Sequence, residues 1–239
     1  MHAVRRSLVE AQAERAGLPL WSIDLPWPCS NAIYEDLLTA LWRRATAEQV
    51  TEIAFGDLFL EDIREYRERQ LRDTGLTPLF PVWHLPTGEL ATEMIEAGVK
   101  AKVTCVDPAK LDRSFAGREF DGEFVESLPA SVDPCGENGE FHTFVYDSPV
   151  FSRPIAVEVG ETVERDGFVF VDVLPGDQTG LCATCIHTRK VVSDRQSVFH
   201  RCLLSNEDPD FPKYPRLPVL TCSGWRSARA GERVLTSIV

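Results

Sequence analysis

The run TGELATEMIEAGVKAKVTCV, from Thr87 to Val106, is the stretch that decides the fold. Its first part has the apolar spacing of a helix, predicted over 87–98, and its last part is a short apolar run typical of a buried strand, predicted over 101–106. The preceding sequence repeats this alternation, with helices predicted over 3–16, 29–45 and 58–75 and strands over 18–26, 50–55 and 78–83. The sequence therefore predicts an α/β fold, in which a mainly parallel sheet has helices on both faces.

The alternation stops after Val106. A short helix is predicted over 120–128, and a β-hairpin over 155–175 turns at 164–167. The best boundary before the last part of the chain is the turn sequence Pro175-Gly176-Asp177. These observations predict an α/β domain over 1–106, an α+β region over 107–176 and a small Cys-rich module over 177–239.

Composition limits the partners of this 239-residue chain. Its formal charge of -12 disfavours broad electrostatic binding to nucleic acid or to an anionic membrane. The last part, from Leu181 onward, has an excess of basic residues, which leaves a local nucleic-acid contact open. We find no apolar run long enough for a membrane span and read the N-terminus as an amphipathic helix. Seven cysteines without an export signal predict a cytoplasmic protein with free thiols or a bound metal.

A second run, PCGENGEFHT from Pro134 to Thr143, is crowded with glycines and hydrogen-bonding side chains. Glycines let backbone amides approach a ligand, carboxylates can bind a metal or act as bases, and a histidine titrates near neutrality. The alternative is a tight turn whose polar side chains cap neighbouring backbone groups. Gly56-Asp57 follows a predicted strand, where ligands of α/β sheets bind, but a turn with a helix cap is again the alternative.

These motifs resemble one family. The similarity runs through MHAVR, LPLWSIDLPWPCSNAIYE, FGDLFLEDIREYRE, GLTPLFPVW, EMIEAGVKAKV and DPCGENGEFHTFVYDSPVF, and covers about residues 1 to 175. The chain resembles the diphthine–ammonia ligase family, a branch of the PP-loop ATP pyrophosphatases. Its Phe141-His142-Thr143 is the form that bacterial relatives commonly carry, whereas archaeal and eukaryotic ligases tend to have Tyr-Glu-Thr or Phe-Glu-Thr there.

The resemblance implies a fold and a mechanism. Family members bind ATP and Mg²⁺ on a HUP-type parallel sheet, transfer AMP to a substrate carboxylate, and let ammonia displace AMP to form an amide. By this resemblance, the residues expected near the nucleotide are Gly56, Asp57, Gly136 and Gly139. Those expected to act in catalysis or on the substrate are Glu137, Asn138, Glu140, His142 and Thr143.

One family motif has no counterpart in this sequence. The family begins with a strand and a Ser-Gly-Gly-x-Asp-Ser loop whose amides hold the phosphates, whereas Met1 matches a point well inside the family pattern. We expect a misplaced start codon, or else a degenerate that has lost ATP hydrolysis, and poor catalysis by the sequence as it stands. Two further hypotheses stay open: a PP-loop-related enzyme that modifies RNA, and a non-enzymatic nucleotide-binding protein.

The C-terminal module carries four cysteines, at Cys182, Cys185, Cys202 and Cys222. The Cys-x-x-Cys pair can supply two ligands of a tetrahedral zinc site, and the two distant cysteines can complete it. His187 and His200 are possible substitutes. The alternative is that the cysteines serve as compact hydrophobic residues. A module of about 60 residues with a weak apolar pattern would gain from a metal, so the sequence favours zinc.

Overall fold

The computed structural model describes residues 4–177, 179–193, 198–227 and 236–238. Its helices are α1 Arg6–Ala16, α2 Asn31–Ala47, α3 Glu61–Leu71, α4 Thr87–Glu96 and α5 Gly122–Glu126. Its strands are β1 Glu52–Ala54, β2 Thr77–Leu79, β3 Lys100–Val106, β4 Phe141–Asp147, β5 Val157–Arg165, β6 Phe168–Pro175, β7 Thr188–Val192, β8 Val198–Cys202 and β9 Thr236–Ile238. Among these described helices, none has the length and apolar character needed to cross a membrane.

Local signals place the ends of the first helices. The Ser30 hydroxyl accepts a hydrogen bond from the N–H of Ile33 at 3.3 Å, which confirms Ser30 as one of the two predicted caps of α2. Gly17 ends α1 in the left-handed conformation, with φ of 69°, as the sequence predicts. Ala3, at the start of the first predicted helix, lies outside the described residues.

The strand directions differ from the prediction. β1 and β2 do pair in parallel, but they form a sheet of two strands. β3 instead lies in a four-stranded antiparallel sheet with the order β4-β3-β6-β5. The last sheet has the order β8-β7-β9, and segment 18–26 contains no strand. The described sheets are thus mostly antiparallel, and the prediction of a mainly parallel, HUP-type sheet is corrected to a mixed α/β architecture.

The physical reason for this correction lies in β3. Most of its residues are buried, since helices cover both faces of the four-stranded sheet. Phe124 of α5 and Ala91 of α4 belong to the apolar cluster on one face, whereas Leu8 of α1 packs with Phe144 and Val173 in the cluster on the other. A strand buried in this way reads as a continuous apolar run whether its neighbours are parallel or antiparallel.

The hairpin prediction is confirmed. β5 and β6 pair in antiparallel register from Val157 opposite Pro175 to Arg165 opposite Phe168. Asp166 and Gly167 form the turn with φ of 53° and 81°, the positive angles that a two-residue hairpin turn requires. This hairpin extends the antiparallel sheet beside β3. The three domains predicted from the sequence stay predictions.

Candidate active site

The loop that precedes β4 is held by two carboxylates. Asp133 Oδ2 accepts hydrogen bonds from the backbone N–H groups of Cys135 and Glu137, at 3.2 and 2.9 Å. Glu140 Oε1 accepts from the N–H of Asp133 at 3.0 Å and from the side-chain amide of Asn138 at 3.1 Å. The two ends of the loop are therefore fixed to each other through buried acceptors.

Gly136 is required by both conformation and space. Its φ of 72° lies in the left-handed region, and a Cβ at this position would stand 2.8 Å from the carbonyl oxygen of Phe141. Gly139 also has a positive φ, of 77°, but no atom lies within 4 Å of its Cβ position. The first glycine thus allows the loop to fold back onto the start of β4.

One hydrogen bond connects this loop to the segment between β1 and α3. The N–H of Leu58 donates to Glu137 Oε1 at 2.7 Å, across a sequence separation of 79 residues. This contact places Gly56 and Asp57 beside the loop. Two segments that the sequence singled out separately therefore lie together in the folded chain.

The two segments line one cavity of about 530 Å³. One wall comes from the region of β1 and α3, and the other from the loop and the start of β4. The lining residues are Phe55, Gly56, Asp57, Arg67, Cys135, Gly136, Glu137, Gly139, Phe141, His142 and Thr143. This is the volume range of a small-molecule site.

Asp57 and Arg67 form a loose ion pair in this cavity. Asp57 Oδ2 lies 3.6 Å from Arg67 Nε, which is too long for a hydrogen bond. Both atoms are buried, and neither has a hydrogen-bond partner. The Arg67 guanidinium also lies 5.1 Å from the ring centre of Phe55. A buried acceptor and a buried donor are thus left to a ligand or to water.

Comparison with known proteins agrees with this geometry. Residues 86–173, which include the loop, β3 to β5 and most of β6, match the family model of the diphthamide synthase C-terminal domain. The chain is 28% identical over 180 residues to a diphthine–ammonia ligase of Bos taurus, across 69% of this chain and 67% of that protein. It is 29% identical over 188 residues to one of Danio rerio, across 71% of this chain and 72% of that protein. The chain is thus similar to diphthine–ammonia ligases over about 70% of its length.

The match to a relative from Schizosaccharomyces pombe shows how much longer some family members are. It is 28% identical over 137 residues and covers 55% of this chain but 22% of that diphthine–ammonia ligase. The chain thus shares about two thirds of the length of the Bos taurus relative and about a fifth of this one. These relatives are named as ligases for diphthine and ammonia, which gives the RNA-modifying hypothesis no support.

The predicted catalytic residues of this chain separate into two groups. Glu137, His142 and Thr143 line the cavity. His142 and Thr143 lie on β4 opposite Cys105 and Val103 of β3, so the antiparallel sheet fixes their backbone. Asn138 and Glu140 belong to the same loop but do not line the cavity.

Glu140 is enclosed by the loop. It is 2% exposed, and its Oε2 is buried without a hydrogen-bond partner. Burial raises the pKa of its carboxyl, but the N–H of Asp133 and the amide of Asn138 stabilise the charged form and leave that pKa below its ordinary value. The site reading of Glu140 stays a prediction, and the observed contacts make this residue a brace of the loop.

Cys135 stands beside the cavity as a protonated thiol. Its Sγ donates to the carbonyl oxygen of Thr87 at 3.4 Å. Burial, with the negative charges of Asp133 and Glu137, raises the pKa of Cys135 to about 11. Because the thiolate is the reactive form, Cys135 is unsuited to act as a nucleophile near neutral pH.

Three contributors to this site were missed in the sequence. Asp133 directly precedes the quoted loop, and its position before the glycines was the available signal. Lys110 donates to the carbonyl oxygen of Asn138 at 2.7 Å. Arg67 is one of three arginines in α3, and nothing in its spacing singles it out.

The predicted metal ligands lie elsewhere in the chain. All seven cysteines are free thiols. Cys182, Cys202 and Cys222 line a second cavity, whereas Cys185 is buried. Among the residues that the structure describes, no group of three or more His, Cys, Asp or Glu side chains is arranged to hold a metal ion.

Proposed function

We propose that this protein is an ATP-dependent ligase that joins ammonia to a substrate carboxylate. The observation that carries the proposal is the hydrogen bond from Leu58 to Glu137, because it brings two family motifs to one cavity. The relatives are named for diphthine and ammonia, so a diphthine-like carboxylate is the first substrate class to test.

The chemistry needs two steps, because a carboxylate is a poor electrophile. A carboxylate oxygen attacks the α-phosphorus of ATP, and pyrophosphate leaves. The acyl-adenylate then loses AMP when the nitrogen of ammonia attacks the acyl carbon, and the nitrogen gives up a proton to form the amide. A site for this reaction must hold phosphates on one side and a carboxylate with ammonia on the other.

The lining residues suit these tasks. We assign the nucleotide to the side of Gly56, Asp57, Gly136 and Gly139, where glycine leaves the backbone open to close approach. Glu137 is placed to accept a proton or a hydrogen bond from ammonia, since carboxylate oxygens are acceptors. His142 and Thr143 are assigned to the substrate carboxylate.

Asp57 is the residue that fits Mg²⁺. Its buried Oδ2 has no hydrogen-bond partner, and Mg²⁺ in such sites typically takes one or two protein carboxylates together with substrate phosphates. When bound, the ion neutralises phosphate charge. The positive charge of Arg67, whose Nε lies 3.6 Å from Asp57 Oδ2, attracts the Asp57 carboxylate and helps to fix its position.

The test compares three substitutions in the 239-residue protein. Calorimetry measures binding of ATP with Mg²⁺, and mass spectrometry follows amide formation from a diphthine-containing peptide, ATP and ammonia. Asp57→Asn is expected to weaken ATP–Mg²⁺ binding about tenfold or more, since ~1.4 kcal/mol is a factor of ten. The matched control is Asp62→Asn, an exposed carboxylate in the first turn of α3, which should bind like the wild type.

Each outcome has a meaning. Equal ATP affinity in Asp57→Asn and wild type would remove the nucleotide from this cavity. Binding without amide product would favour the non-enzymatic nucleotide-binding hypothesis. Product formation that is lost in Glu137→Gln while ATP binding is kept would support the assignment of Glu137 to the ammonia step.

A further inference from the structure

The C-terminal segment has almost no apolar core. Among the described residues of 179–193 and 198–227, only Cys185, Thr188 and Pro218 are buried. Within the part of the chain that the structure describes, the three apolar clusters contain no residue beyond Val173. A segment of this size needs another source of stability, such as a bound metal or cross-links.

Its backbone brings two cysteine-bearing loops together. Cys182 lies in the 3-10 helix Leu181–Ala183, and the N–H of Leu181 donates to the carbonyl oxygen of Val219 at 2.7 Å. The indole N–H of Trp225 donates to the carbonyl oxygen of Leu181 at 3.0 Å, on the far side of Cys222. These two contacts flank Cys222 and hold its loop against the loop of Cys182.

Gly180 shows how close this approach is. A Cβ on Gly180 would stand 2.4 Å from the carbonyl oxygen of Val219, a distance that real atoms do not tolerate. The same two loops also meet at their other ends, where the N–H of Ile186 donates to the carbonyl oxygen of Arg226 at 3.0 Å. Cys185 and Ser227 form an isolated β-bridge there. Both cysteines of the Cys-x-x-Cys pair therefore face the loop that carries Cys222.

Thr188 connects two of the cysteines. Its N–H donates to the carbonyl oxygen of Cys185 at 3.0 Å, and it lies opposite Cys202 in the register of β7 and β8. Thr188 is itself 4% exposed. The pairing of β7 with β8 therefore holds Cys202 near the turn that carries Cys185.

Three of the four cysteines line one cavity. Cys182, Cys202 and Cys222 line a cavity of about 500 Å³, and Cys185 follows Cys182 by three residues. His187 and His200 are not among the residues that line this cavity.

We propose that Cys182, Cys185, Cys202 and Cys222 bind one structural zinc ion. Four thiolates are the ligand set of closed tetrahedral zinc sites, and binding releases the thiol protons. In the conformation that the structure describes, the sulfur atoms are not arranged to bind one metal ion. Binding therefore requires their side chains to rotate toward one point, while the backbone contacts already hold the loops together.

The test measures metal in the whole protein, purified under reducing conditions without added zinc or chelator. Elemental analysis is expected to give about one zinc per chain. Titration with a mercurial reagent in the presence of a chromophoric zinc chelator should release that zinc as about four thiols react. This measurement uses the folded wild type, so it does not depend on whether a cysteine variant folds.

Variants then assign the ligands. Cys182→Ser with Cys202→Ser should lose the zinc and lower the melting temperature. Cys29→Ser, which changes a partly exposed thiol outside the cluster, should keep both. Zinc-free wild type whose melting temperature is unchanged by chelator would overturn the proposal. So would iron in place of zinc, or a mass two hydrogens lower that shows a disulfide between these cysteines.

Discussion

Glu137 and Leu58 are joined by a 2.7 Å hydrogen bond in which a side-chain carboxylate accepts from a backbone N–H. The bond closes the gap between the loop before β4 and the start of α3. Without it, the two walls of the cavity would be connected less directly. Glu137 is therefore both a candidate catalytic group and a structural link, and the two roles can be separated experimentally.

Glu137→Ala should lower the free energy of unfolding by about 1–3 kcal/mol, the usual range for a hydrogen bond to a charged group. Glu137→Gln keeps an oxygen acceptor and should lose less than about 1 kcal/mol. Urea denaturation measures both, and Glu65→Ala, an exposed glutamate of α3, is the control. A Glu137→Ala variant as stable as the Glu65→Ala control would show that the bond contributes no stability.

Glu140→Gln should act on folding rather than on chemistry. The amide nitrogen of glutamine would be buried where Oε2 now lies without a partner, or would face the donors of Asp133 and Asn138. An unsatisfied buried donor costs about 1–3 kcal/mol. Thermal and urea denaturation should therefore both show a less stable protein. A variant with wild-type stability and lost amide formation would instead place this carboxylate in the reaction.

The same residue gives a pH dependence with a definite sign. The pKa of Glu140 is lowered in the folded protein, so its contribution to stability is present above the unfolded-state pKa, which lies near 4.5. That contribution is lost as the pH falls through the folded-state pKa. Between pH 6 and about pH 3, the free energy of unfolding should fall less steeply in Glu140→Gln than in the wild type. Parallel pH profiles would contradict the prediction.

The sequence predicted the elements of this fold better than their arrangement. Apolar spacing placed α4 and β3 within a few residues of their observed bounds, because burial and helical period are local properties. The two strands that pair with β3 are β4 and β6, one on each edge, and both lie downstream in the sequence. The sequence of β3 itself therefore does not indicate whether its partners run parallel or antiparallel to it.

The residues of the candidate site could likewise be predicted better than the contacts between them. The motifs around Asp57 and Glu137 could be picked out from their residue types, whereas the contact between them depends on tertiary folding. The contacts of Glu140 fit the alternative given for this loop, a tight turn whose polar side chains cap neighbouring backbone groups. The loop folds around this carboxylate and supplies its hydrogen bonds, and a role of Glu140 in catalysis stays a prediction.

Cys135 should resist alkylation. With a pKa of about 11, only a small fraction is thiolate at pH 7.5, and that fraction rises about tenfold for each pH unit. Peptide mapping after brief iodoacetamide treatment should therefore find Cys135 unmodified at pH 7.5 and increasingly modified toward pH 10. Rapid labelling of Cys135 at pH 7.5 in the folded protein would show that the thiol is activated.

Gly136 and Gly139 offer a matched pair that tests the geometry of the loop itself. Both have positive φ, so alanine at either position costs about 1–2 kcal/mol of backbone strain. At Gly139 the added methyl group meets open space, and strain is the whole expected cost.

At Gly136 the added methyl group would stand 2.8 Å from the carbonyl oxygen of Phe141, a backbone atom that cannot move without shifting the start of β4. Gly136→Ala should therefore lose clearly more stability than Gly139→Ala in urea denaturation. It should also weaken ATP–Mg²⁺ binding, since His142 and Thr143 follow Phe141 on the same strand. If the two variants lose the same stability, the loop does not fold back onto Phe141 as described.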